Sequence, residues 1–163
     1  MNIETTEDLL ESGLKYIYYT EQRLLESLEE MEAKTDHEEL AQAFADHRKQ
    51  TEQHIERLED VFDALGQSPE TLEAMGVDGI IEEHKSFAET DPDQAALDYV
   101  SSTAAQKIEH YEIAAYGNLM PLAAELGMDE EADMLEANLR EEQQTLEGLA
   151  ELSAEFDMEA LTA

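Results

Sequence analysis

The sequence contains no cysteine, which removes disulfides, thiolate metal ligands and cysteine nucleophiles together. Basic side chains are also scarce: nine Lys plus Arg stand against 42 Asp plus Glu, a formal net charge of −33. No basic patch is available to neutralise phosphates, so nucleic acid is not an expected partner. No uncharged apolar run approaches the roughly 20 residues a membrane-spanning helix needs, so no membrane contact is expected. The N-terminus, MNIETTEDLL, lacks a basic segment followed by an apolar run and does not read as a secretory signal. There is no Gly-rich phosphate loop and no Gly-x-Ser-x-Gly elbow. Internal repeats and low-complexity linkers are absent too. The expectation is a soluble, cytoplasmic protein.

The hydrophobic fraction is 42%, and its regular spacing argues against disorder despite the charge. The acid excess reads as a solvated surface kept soluble in strong salt, where the screening length falls to roughly 3 Å. A halophilic cytoplasm is the expected setting. The length of 163 residues suits a single domain, 1–163, with a real core.

Four long helices follow from the periodicity. The first runs from about Thr6 to Ala33, with Leu10, Leu14, Ile17, Leu24 and Leu28 on one stripe. The second runs from Asp36 to Leu65 and stops at Gly66, with Thr35 and Glu38 in a capping-box pattern. Residues 66–91 form a long crossover, with short helices expected over Pro69–Met75 and Asp78–Ala88. The third starts at Asp91-Pro92, with Gln94 completing a capping box; Pro121 should kink it and Gly127 end it. The fourth is capped by Asp129 and reaches about Phe156. Two antiparallel hairpins joined by one long crossover give an all-α, ferritin-like four-helix bundle.

Polar residues interrupt every apolar stripe. Glu21 sits on the first, His47, Thr51 and His54 on the second, Glu112 on the third and Glu142 on the fourth. Glu109 lies about 60° round from Glu112, close enough to lean in. A buried carboxylate is costly unless it is paired or bound to a metal. Reflection across the turns places Glu21 level with His47 and Glu112 level with Gln143, next to Glu142. His47 and His54 are about 10 Å apart along the axis, too far to ligate one ion together, so His54 would serve a second metal or support the first.

The candidate metal ligands are therefore Glu21, His47, His54, Glu109, Glu112 and Glu142. Four glutamates and two histidines is the ligand count of carboxylate-bridged di-iron bundles. Their usual Glu-x-x-His pairs are missing here: Thr51-x-x-His54, Glu109-x-x-Glu112 and Glu142-x-x-Thr145 stand instead. One ion or two both remain open. The competing reading puts each glutamate at an edge with its head in solvent, and His47 in a hydrogen bond to Glu21 or Tyr18. His110 faces outward, and His37 and His84 have no partners at ligand spacing.

Several segments resemble the YciE/YciF ferritin-like family, as a haloarchaeal-type member. They are Tyr19-Thr20-Glu21-Gln22-Arg23-Leu24-Leu25, His47-x-x-Gln50-Thr51-x-x-His54-x-x-Arg57-Leu58-Glu59, Ala105-Gln106-Lys107-Ile108-Glu109-His110-Tyr111-Glu112-Ile113-Ala114-x-Tyr116-Gly117, and Leu139-x-Glu141-Glu142-x-x-Thr145. The resemblance implies a rubrerythrin-like fold, a homodimer, a stress-response role and a metal centre. Leu146 stands where family members often carry Asp, and their Cys-containing crossover is absent. The expected function is a metal-binding stress protein holding iron or manganese. It would oxidise Fe(II) or consume peroxide, with oxygen or peroxide as the small oxidant. The rival is a non-catalytic helical stress or scaffold protein with a vestigial polar core. Iron storage would need a many-subunit shell.

Overall fold

The computed structural model describes residues 3–157. Met1, Asn2 and Met158–Ala163 lie outside the described residues, including those ends of the 1–163 domain and the start of the N-terminal segment discussed above. The helices are α1 (Thr6–Lys34), α2 (Glu38–Ala64), α3 (Met75–Ala88), α4 (Gln94–Glu125) and α5 (Asp129–Glu155). The all-α bundle with a long crossover is as expected. Among the described residues no helix is long and apolar enough to cross a membrane.

Cross-helix contacts define the topology. The amide of Gln94 reaches the carbonyl of Lys34, and Tyr116 reaches Glu21. Rising α4 numbers thus meet falling α1 numbers, and the two helices are antiparallel. Thr145 with Gln50 and Asn138 with Arg57 set α5 antiparallel to α2 in the same way. α3 lies outside the α1–α4 pair. Asp78 accepts from Tyr19 and Arg23, and His84 hydrogen-bonds Ser101. Gly13 lets α4 approach α1 closely: a Cβ there would lie 2.4 Å from Leu119 Cδ2.

The element boundaries bring several corrections. The helix expected over Pro69–Met75 does not form; residues 67–74 are irregular. So short a segment cannot repay helix nucleation. It docks on α1 instead, through Leu72 N–H to the Lys15 carbonyl and the Lys15–Glu70 ion pair. α3 begins at Met75 rather than Asp78. α2 is capped by His37, whose Nδ1 accepts from Leu40 N–H, while Thr35 Oγ1 accepts from His37 N–H, so no Thr35/Glu38 box forms. α4 is entered through Asp93, not Asp91. Asp91 sits at φ 55, the left-handed region that Asp tolerates but an N-cap cannot use. Gln94 is thereby free to bind Lys34 and Asp98. α5 takes Met128 as its cap, leaving Asp129, Glu130 and Glu131 in the first turn, where acids favour the helix dipole. Gly66 and Gly127 end their helices at φ 69 and 73, as their positions suggested. α4 passes through Pro121 as one helix.

The core is split in two. One apolar cluster joins Leu10, Leu14 and Ile17 to Leu58, Phe62, Leu119 and Leu135. The other joins Leu24 and Leu28 to Leu40, Phe44, Ile108 and Leu149. Along each of α1, α2, α4 and α5, the polar residues fall between the stretch given to one cluster and the stretch given to the other.

Candidate metal centre

Glu21, His54, Glu109, Glu112 and Glu142 are 0% exposed, and His47 is 4%. The edge-position reading is therefore excluded. The six side chains form two overlapping groups: His47, Glu109, Glu112 and Glu142 in one, Glu21, His54 and Glu142 in the other. In each group one ligand atom per residue lies within 4.8 Å of all the others. Glu142 belongs to both, with Oε1 2.8 Å from His54 Nδ1 and Oε2 3.3 Å from His47 Nε2.

The levels differ from those read off the turns. His47 faces Glu109 and Glu142, with Nδ1 3.2 Å from Glu109 Oε1. Glu21 meets His54 instead, at 3.4 Å. Helical side chains lean toward their own N-terminus. In antiparallel α1 and α2 this tilts Glu21 toward the level of His54 and His54 back toward Glu21, while His47 leans away. The hydrogen bond from His47 to Glu21 or Tyr18 is not made; Tyr18 donates to Glu59.

The surrounding residues hold the centre in place. His54 Nε2 pairs with Glu141 at 2.8 Å, and Arg57 grips both oxygens of Glu141 at 2.6 and 3.0 Å. In the neutral imidazole this puts the proton on Nε2 and leaves the Nδ1 lone pair facing Glu21 and Glu142. Tyr116, wholly buried, donates to Glu21 Oε1 and accepts from Asn138 Nδ2 at 3.0 Å. Stripe position alone does not mark Asn138, Glu141 or Arg57 as functional. Glu141 and Arg57 are only half-buried, and Asn138 looks like any polar helix residue. His84 is buried against Ser101, and no candidate ligand group contains it. His37 stacks on Phe156, and His110 is exposed.

Eleven buried side-chain N and O atoms lack a hydrogen-bond partner among the described residues. All belong to Glu21, His47, Thr51, His54, Glu109, Glu112 or Glu142. Several approach within 3.5 Å of each other but are not aligned as hydrogen bonds. Native interiors leave few buried polar atoms unsatisfied, so a cluster confined to one spot calls for an additional partner there. A divalent cation fits this donor set: converging carboxylate oxygens and imidazole nitrogens, with no thiolate.

Burial raises the pKa of Glu109 and Glu112 well above the usual carboxylate range, and the neighbouring Glu142 charge adds to it. Burial also raises Glu21, against the opposing effect of His54. Burial alone would raise Glu142 and lower His54. Their contacts win: the two histidines hold Glu142 below the usual range, and Glu142 with Glu21 lifts His54 to about 10. A group whose pKa is raised by folding binds its proton more tightly folded than unfolded, so its contribution fades as pH rises. For His54 that contribution is complete below 6.5 and lost through about 10. Chelator-treated protein should therefore melt at progressively lower temperature across this window. A flat or rising melting temperature by circular dichroism would contradict this electrostatic picture.

Protein YciF of Escherichia coli K12 is 35% identical to this chain over 146 residues, 89% of this chain and 88% of that protein. The crystal structure of the E. coli stress protein YciF matches with a TM-score of 0.88 and 33% identity, over 93% of this chain and 96% of that one. YcfI from Rhodopseudomonas palustris, labelled a structural protein, matches with a TM-score of 0.88 and 40% identity, over 91% and 95%. A Xanthomonas campestris protein at 22% identity and a TM-score of 0.75 shares the fold. Residues 5–161 match the family described as a domain of unknown function, DUF892, and the chain belongs to that family as a homologue of YciF.

Proposed function

We propose that the buried Glu/His cluster is a dinuclear iron or manganese centre, and that the protein works in stress defence by oxidising Fe(II) or consuming peroxide. The observation that carries this is that, among the described residues, the unpartnered buried polar side-chain atoms all belong to the six Glu and His of the cluster and to Thr51, which lies between His47 and His54 on α2. Glu142 would be shared, since its two oxygens face different groups. Glu109, Glu112 and His47 would complete one group, and Glu21 and His54 the other. Bound there, iron or manganese would supply electron transfer to oxygen or peroxide.

The chain's own residues do the rest. The four carboxylates offset the charge of the cations. The Arg57–Glu141–His54 chain fixes the imidazole, as a carboxylate behind a histidine does at many metal sites. Tyr116 ties up Oε1 of Glu21 and leaves Oε2 buried without a partner. The two apolar clusters on either side keep bulk water out. The stress-protein designation of YciF accords with this reading, and the acid surface suits a salt-rich cytoplasm.

The structural-protein label on YcfI favours a second reading, a scaffold with a vestigial polar core. Stopped-flow absorbance separates the two. Protein loaded with Fe(II) should oxidise it faster than free Fe(II) does in matched buffer and salt. His47→Ala should slow the reaction more than His110→Ala, since His110 is exposed and outside both groups. Equal rates with and without protein, at confirmed occupancy, would favour the scaffold.

A further inference from the structure

Apolar core closes the candidate centre at both ends, yet the packing of α2 on α5 leaves an opening beside it. A cavity of about 550 Å³ lies in this groove, with His47, Asp46, Gln50, Thr145, Gly148 and Glu151 in its wall. His47 is 4% exposed, and neither of its ring nitrogens has a hydrogen-bond partner. The cavity therefore abuts a residue of the centre, beside Leu149 of the apolar core. Beside it, Thr145 Oγ1 donates to Gln50 Oε1 at 2.9 Å across the groove. Gln50 and Thr145 each lie about one helical turn beyond a member of the centre, His47 and Glu142.

Two further features of the wall favour traffic of cations. Its acids are Asp46, Glu151 and Glu155, and its one Lys, Lys49, is held by Asp46 at 2.9 Å. An acid-lined cleft raises the local concentration of cations. Gly148 weakens α5 as glycine weakens any helix interior, and neither packing nor backbone calls for it. A Cβ there would meet nothing within 4 Å, and its φ is not positive. What glycine provides at 148 is empty space over the cavity.

We propose that the α2–α5 groove is the port by which a divalent cation reaches the buried centre, and that Gly148 holds it open. This rests on the metal-binding reading above. Cobalt(II) uptake by metal-free protein, followed by stopped-flow absorbance, tests it in the series Gly148→Ala, Gly148→Leu and Gly148→Trp. Gly117→Leu is the control, since Gly117 is exposed on α4, away from this cavity, and also meets nothing within 4 Å. Uptake should slow in order of side-chain size, on the order of tenfold for Gly148→Leu, as when binding must wait for a conformational change. The final cobalt per chain should stay at the wild-type level, and Gly117→Leu should load at the wild-type rate. Full loading of Gly148→Leu at the wild-type rate would overturn the port alone. Reduced final cobalt in the series would also overturn it, because a port sets rate and not capacity. Wild-type protein that takes up no cobalt would overturn the metal reading itself. If the Trp variant does not fold, the Ala and Leu variants still give the order.

Discussion

Glu142→Ala is expected to remove metal from both groups at once, while Glu21→Ala leaves the His47 group loaded. The asymmetry follows from geometry: Glu142 is the one residue common to the two groups, and Glu21 serves only that of His54. Helix content should persist in both variants, because each helix is anchored by apolar residues on either side of the polar belt. Glu112→Leu sharpens the contrast. Both Glu112 oxygens are buried without partners, and a buried unsatisfied group costs about 1–3 kcal/mol. Leucine at this position should therefore stabilise the metal-free protein by about that amount, and at the same time lower its metal capacity. Such a trade is expected where a site is maintained for binding and not for stability. Elemental analysis alongside chemical denaturation measures both quantities. Unchanged metal content in Glu142→Ala, or a destabilised metal-free Glu112→Leu, would contradict the assignment.

Lowering KCl from molar to millimolar concentration should cost the protein on the order of ten degrees or more of melting temperature, at about 2–4 °C per kcal/mol for a domain of this size. All nine Lys and Arg side chains are already in ion pairs: Lys15 with Glu11 and Glu70, Arg23 with Glu26 and Asp78, Lys34 and Lys85 with Glu30, Arg48 with Glu29 and Glu32, Lys49 with Asp46, Arg57 with Glu141, Lys107 with Glu83, and Arg140 with Glu136. No spare cation is left to offset the rest of the 42 acids. Screening must come from solution, and its range grows from roughly 3 Å at molar salt to 10 Å at 0.1 M. The buried centre should respond differently, since salt screens buried groups far less. Metal removal should lower the melting temperature at high salt as well as low. Melting curves with and without chelator at both salt levels measure the two effects separately. Equal melting temperatures at the two salt levels would contradict the surface argument.

Much of this was legible in the sequence because helical periodicity is a one-dimensional signal. Glu21, Glu112 and Glu142 stood out as acids at the centres of apolar stripes, and the structure buries all three completely. The pairing of levels was less legible. It depends on the tilt of side chains in antiparallel helices, which gives Glu21 to His54 and leaves His47 with Glu109. Helix starts were harder still. Asp91 and Thr35 have the composition of caps, but Asp91 takes a left-handed conformation and His37 displaces Thr35. The groups that brace the centre were hidden for a different reason. Arg57 and Glu141 have the composition of a solvated face, and only the contact between α2 and α5 shows that they hold His54.

The most direct measurement is a crystal structure of protein purified without added metal, with anomalous data collected at the iron and manganese edges. The proposed function predicts two anomalous peaks inside the bundle, one among His47, Glu109, Glu112 and Glu142 and one among Glu21, His54 and Glu142, with Glu142 touching both. A bundle interior with no anomalous peak, its carboxylates satisfied by ordered water or by one another, would contradict it and leave the scaffold reading in its place.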